Sequence, residues 1–159
     1  VLILEDGSSI YDSRFILEYL ECMYPQTPLL SSEVLERLVA KKLEVLADGV
    51  CDAVVLLFFE RMRGEHASAE WTARQVHKIE GGVRELARLI EKRQFAVGDQ
   101  FGLADIAVGA ALGYLKVRFT DFDWQALYPS LANYSTNLEQ RPSFQSTQPY
   151  PQTITDKVV

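Results

Sequence analysis

Val1-Leu2-Ile3-Leu4-Glu5-Asp6-Gly7-Ser8-Ser9-Ile10-Tyr11-Asp12-Ser13-Arg14-Phe15-Ile16-Leu17-Glu18-Tyr19-Leu20 opens the chain and decides how the rest is read. Two short apolar runs flank Asp6-Gly7, a pair that supplies the positive backbone φ a short hairpin turn requires, so the stretch predicts two antiparallel strands. From Asp12 the pattern changes to apolar residues at helical spacing, which places a helix over residues 12–23. The first-turn N–H groups of such a helix lack intrahelical partners and carry the positive end of its dipole. Asp12 and Ser13 at that junction admit two readings. Asp12 caps the helix; or the pair recognises a free amino acid, with its carboxylate on Ser13 and the helix end and its ammonium on Asp12.

Composition sets the class. The chain has 159 residues, 48% of them hydrophobic and 24% charged, enough to bury a core and not the composition of a disordered segment. A net charge of −6 without a Lys/Arg stripe argues against nucleic acid or an anionic membrane as the partner. Cys22 and Cys51 stand on separate predicted helices without C-x-x-C spacing, which suits reduced thiols of a cytoplasmic protein. His66 and His77 are too isolated to hold a metal. No apolar run has the length of a membrane span, and the apolar start lacks the basic flank of a signal peptide.

Beyond residue 24 the chain reads as helical. Tyr24-Pro25-Gln26-Thr27-Pro28 predicts an extended linker over 25–31. Leu35, Leu38, Val39, Leu46, Val50, Val54 and Leu57 then recur at helical spacing over 32–63, and Val76, Ile79, Val83, Leu86 and Ile90 over 69–93. Gly81-Gly82 weakens the latter helix by about 1 kcal/mol per glycine, so its survival implies close packing on a neighbour. Residues 106–115 are apolar or glycine apart from Tyr114, which predicts a helix encased in a bundle. Gly102 and Asp105 mark its start as a structural cap, Phe101 and Ile106 have the spacing of a hydrophobic staple, and Lys116 and Arg118 suit its negative end. A last helix is expected over 129–140, stopped by Arg141-Pro142, with an extended tail over 148–159.

Val1 to Leu20 resembles the end of the thioredoxin-like domain of glutathione transferases, bacterial members especially. Four further segments agree in order: Leu43-Glu44-Val45-Leu46-Ala47-Asp48-Gly49, Gly98-Asp99-Gln100-Phe101-Gly102-Leu103-Ala104-Asp105-Ile106-Ala107, Ala111-Leu112-Gly113-Tyr114-Leu115, and Arg141-Pro142-Ser143-Phe144. The resemblance implies a mainly α fold. An all-helical C-terminal bundle (32–147) would follow the hairpin and last helix (1–24) of a truncated thioredoxin-like α/β domain. It implies that Asp12 and Ser13 bind the γ-glutamyl group of glutathione, the co-substrate, with no metal. Phe58, Phe59 and Tyr114 become candidates for an apolar electrophile pocket, although aromatics at such spacing also read as core. Asp48 becomes a candidate to reach the partner subunit's glutathione in a homodimer. Family members place Ser or Thr where Gly102 stands, so the capping box with Asp105 is half present. They also place a strand, a helix and another strand, with the reactive Ser, Tyr or Cys, ahead of this hairpin. On that pattern the catalytic residue lies upstream of Val1, and the chain alone conjugates glutathione weakly or not at all. The implied activity of the intact protein is attack of the glutathione thiolate on a small apolar electrophile. The alternatives are a non-catalytic binding or stress-response protein of the same fold, or a glutathione-dependent thiol reductase or peroxidase.

Overall fold

The computed structural model describes residues 1–151; the expected tail over 148–159 therefore lies mostly outside the described residues. Strands β1 (Leu2–Ile3) and β2 (Ser9–Ile10) pair antiparallel with Leu2 opposite Ile10 and Ile3 opposite Ser9. The connection is wider than a two-residue turn. Gly7 N–H donates to the Leu4 carbonyl at 3.0 Å, Leu4 N–H donates to the Ser8 carbonyl at 2.9 Å, and Gly7 takes a φ of 82°. Asp6 serves as the brace, its Oδ1 accepting from the Ser8 N–H at 2.9 Å and the Ser8 hydroxyl at 2.6 Å. The two-residue period survives, since Ile10 faces inward while Ile3 is 63% exposed.

Helix α1 (Ser13–Met23) follows, and no residue of it is fully buried. Polar contacts hold it in place. Glu18 meets Arg37 at 3.0 Å and Lys41 at 3.2 Å, and the Glu21 carboxylate accepts the backbone N–H groups of Leu29 and Leu30, both at 3.0 Å.

Helix α2 (Val34–Met62) is the central element, packing α3 (Ala69–Ile90) on one side and α4 (Leu103–Arg118) on another. Its inner face carries Leu43, Ala47, Val50, Val54 and Leu57, which meet Ile79, Val83, Leu86 and Ile90 of α3 and Val108, Leu112 and Leu115 of α4 in one core. The glycine pair is explained at one of its positions. A Cβ on Gly82 would run into Val50, whereas Gly81 faces no such obstacle. Helix α3 stops at Ile90, short of the expected 93, and Lys92 takes a φ of 57° in the connection that follows.

Two short helices, α5 (Trp124–Leu127) and α7 (Pro142–Ser146), flank α6 (Pro129–Glu139). Arg141-Pro142 does end α6, but Pro142 opens α7 rather than a trailing coil, in the first-turn position that proline suits. Phe144 of α7 occupies the space left by the missing side chain of Gly109 and stands edge-on to Phe101, with ring centroids 6.4 Å apart.

Helix α4 departs from expectation in one respect. Val108, Ala111, Leu112 and Leu115 are buried, but Ile106, Ala107, Gly113, Tyr114 and Val117 are only half-buried and Ala110 is exposed, so one apolar stripe is open. At its start, Asp105 Oδ2 accepts the Gly102 N–H at 2.9 Å, while Oδ1 accepts the Ala96 N–H at 2.9 Å and the Tyr134 hydroxyl at 2.6 Å. Burial and the adjacent carboxylate push the Tyr134 phenol well above its usual range, so it remains a donor. The place of Gly102 also has a cause: a Cβ there would lie 2.7 Å from the Leu29 carbonyl oxygen, which already accepts the Leu103 N–H at 2.8 Å.

Tyr134→Phe removes a hydrogen bond to a buried charge and should cost about 1.5–3 kcal/mol in urea unfolding. Gly102→Ser supplies the missing cap hydroxyl yet should lower stability by about 1–3 kcal/mol, because the Leu29 backbone must move aside; a rise in the unfolding midpoint would contradict this.

Candidate functional site

Asp12 and Ser13 are both exposed, and the end of α1 opens to solvent. Asp12 is the N-cap residue: its Oδ1 accepts the Arg14 N–H at 3.0 Å, and its carbonyl accepts the Ile16 N–H at 2.9 Å. Ser13 is the first helical residue, so its hydroxyl sits beside N–H groups that precede the first intrahelical bond. The arrangement presents donors and a partial positive charge next to one carboxylate.

Arg14, not singled out from the sequence, links this junction to the bundle. Its Nε contacts Asp48 Oδ2 at 2.6 Å, and the hydrogen bond to Asp48 raises the guanidinium pKa. Asp48 is thus engaged within its own chain, by the residue two past the α1 cap. The signal for it was adjacency: a cation beside Ser13 and a carboxylate on the inner-facing half of a long helix.

Phe58 and Phe59 form an edge-on pair with centroids 5.4 Å apart at 74°. Their surroundings differ. Phe58 is half-buried beneath Arg118 of α4, whose guanidinium carbon lies 4.2 Å from the ring centroid. Tyr114, also half-buried, stands one turn before Arg118 on the same edge of α4. Phe59 turns outward and continues an exposed apolar stripe of α2 through Leu35, Leu38, Val45 and Leu56. Arg118 is therefore stacked on Phe58 and stands one helical turn from Tyr114. Gly102 and Asp105 belong to the start of α4 described above.

Two cavities were not foreseen, because each is assembled from distant segments. One of about 670 Å³ lies between the linker, the start of α2 and residues 97–105, with Cys22, Glu36, Arg37 and Phe101 in its wall. A second, of about 530 Å³, runs along the open stripe of α4 between Ile106, Lys116, Phe144 and Pro149. Neither is lined by Asp12, Ser13, Phe58 or Tyr114. Among the described residues no group of His, Cys, Asp and Glu is arranged for a metal ion, and no helix is long and apolar enough to cross a membrane.

Comparison with known proteins accords with this architecture. Residues 69–137 match the family model of the glutathione S-transferase C-terminal domain. The GST-like protein YibF of Escherichia coli is 34% identical over 150 residues, covering 94% of this chain and 74% of the relative. A crystal structure of a glutathione S-transferase from Methylobacterium radiotolerans, in complex with glutathione sulfonate, superposes with a TM-score of 0.96 at 54% identity, covering 99% of this chain and 74% of that one. Another, from Methylobacillus flagellatus with glutathione bound, has a TM-score of 0.87 at 40% identity over 92% of this chain and 73% of that one. The chain belongs to the glutathione S-transferase family.

The thiols offer a test of the packing. Burial, reinforced by Asp48 and Asp52, raises the Cys51 thiol to about 11, whereas Cys22 is exposed. A group so raised is almost wholly protonated at pH 8. Iodoacetamide at that pH should modify Cys22 and spare Cys51, and alkylation of Cys51 should gain rate as pH rises towards 11; mass mapping of the two peptides reads the order.

Proposed function

We propose that this chain seats glutathione and an apolar electrophile for attack by the glutathione thiolate. The observation that carries the proposal is the open, capped N-terminus of α1 with Asp12 and Ser13 exposed upon it, in a chain whose relatives are crystallised with glutathione or its sulfonate. The α-carboxylate of the γ-glutamyl group would accept from the Ser13 hydroxyl and first-turn N–H groups. Its ammonium would pair with the Asp12 carboxylate, which retains one oxygen after capping. Holding the tripeptide at one end fixes where the sulfur lies, and orientation of this kind converts an encounter into an effectively intramolecular reaction. The bond formed is carbon–sulfur: in a displacement the leaving group departs with the electron pair of the bond it gives up, and in an addition the carbanion formed takes a proton from solvent.

The electrophile would rest on Phe58 and Tyr114, where α2 and α4 meet. Phe59 and the stripe of Leu35, Leu38, Val45 and Leu56 we assign instead to a homodimer contact, because several large apolar side chains on one side of a helix are expensive to leave in water. In this reading Asp48 orients α1 through Arg14, and its exposed edge is available to a second subunit's ligand. We place the glutathione-binding unit at 1–24, the linker at 25–31 and the helical domain at 32–147, with a cytoplasmic location suited to two unpaired cysteines.

Replacing Asp12 and Ser13 together by alanine should abolish retention on immobilised glutathione while the far-ultraviolet circular dichroism is unchanged; full retention would remove the site. Leu38→Glu should shift the sedimentation coefficient from dimer to monomer, and an unaltered coefficient would move the interface elsewhere.

A further inference from the structure

Among the described residues, Arg118 carries a charge without a counter-charge. Its Nε is buried with no hydrogen-bond partner among them, and it takes part in none of their ion pairs. Its neighbours are provided for: Lys116, two residues earlier, pairs with Glu139, and Arg61 on α2 meets Asp121 at 3.0 Å. Withdrawing a guanidinium edge from water without a partner is costly, and neither the Phe58 ring at 4.2 Å nor the negative end of α4 supplies an acceptor for that N–H. What the ring does supply is a fixed position. A guanidinium held over an aromatic face presents its remaining donors in the fork that matches a carboxylate.

We infer that Arg118 is an anion seat within the electrophile site, and that the electrophile joins a carboxylate to an aromatic or apolar body lying on Phe58 and Tyr114. The inference rests on assigning those two aromatics to the electrophile. Tyr114 lies one turn from Arg118 on α4, so a ligand paired with the guanidinium also reaches the phenol ring. Lysine would keep the charge at this position but not the fork.

The first test needs no turnover. The Arg118 Nε–Hε resonance is followed by NMR while the protein is titrated with benzoate and, separately, with benzamide, its neutral isostere. Benzoate should shift that resonance and bind more tightly than benzamide. Arg118→Gln should lower the benzoate-to-benzamide affinity ratio about tenfold, with Arg118→Lys between the two. Equal binding of the two probes, or an unchanged ratio in Arg118→Gln, overturns the anion seat. The second test compares KM values for 4-chloro-3-nitrobenzoate and 4-chloro-3-nitrobenzamide with glutathione. The acid-to-amide preference should fall about tenfold in Arg118→Gln. If both are turned over with no change in preference, the anion seat fails and the transferase reading stands; if the chain is not retained on immobilised glutathione but the benzoate effect is intact, the glutathione reading fails and the anion seat stands.

Discussion

Asp105 joins three separate parts of the chain through one carboxylate that is only 1% exposed. It takes the backbone N–H of Ala96 from the connection after α3, that of Gly102 at the start of α4, and the phenol of Tyr134 from α6. A charge so deeply withdrawn from water is tolerated only because every contact is a donor. The arrangement fixes where α4 begins, and hence which of its residues face α2. Val108, Leu112 and Leu115 meet the core in that register, Tyr114 packs against its edge, and Arg118 comes to lie over Phe58. A shift in the start of α4 would rotate those groups away from α2.

The junction between the hairpin and α1 hangs on a different kind of attachment. The helical bundle is closed by apolar packing, whereas α1 contributes no fully buried residue and is tied down by Arg14, Glu18 and Glu21. Partly exposed ion pairs are individually weak and screened by salt. The Glu21 contacts to two adjacent backbone N–H groups are directional, so they set the approach of the linker as well as the tilt of α1. The exposed end that carries Asp12 and Ser13 therefore rests on fewer buried contacts than the long helices do.

Much of this was legible in the sequence because it depends on local period. The long helices, the hairpin and the Asp12 cap each follow from residues within a turn or two of one another. The turn residues Asp6 and Gly7 marked the hairpin, but the extra residue in the connection depends on how Asp6 braces Ser8. Helices α5 and α7, of four and five residues, are too short to display a period. Gly102 read as a defective cap because the Leu29 carbonyl that excludes a side chain there comes from the linker. The intrachain partner of Asp48, the cavities and the unpaired state of Arg118 all depend on segments brought together only by folding. Tyr114 was visible as an interruption in an apolar run, but not the open stripe beside it. Composition cannot say which side of a uniformly apolar helix its neighbours cover.

Phe144 gives the end of the described chain an unexpected weight. Its ring fits the notch at Gly109, and its neighbour Arg141 lies across Phe101 with the guanidinium carbon 3.6 Å from the ring centroid. The five residues of α7 thus act as a rivet driven into the flank of α4. A deletion reaching back to residue 142 would pull out a structural fastener, and a bulkier side chain at position 109 would expel it from the opposite side.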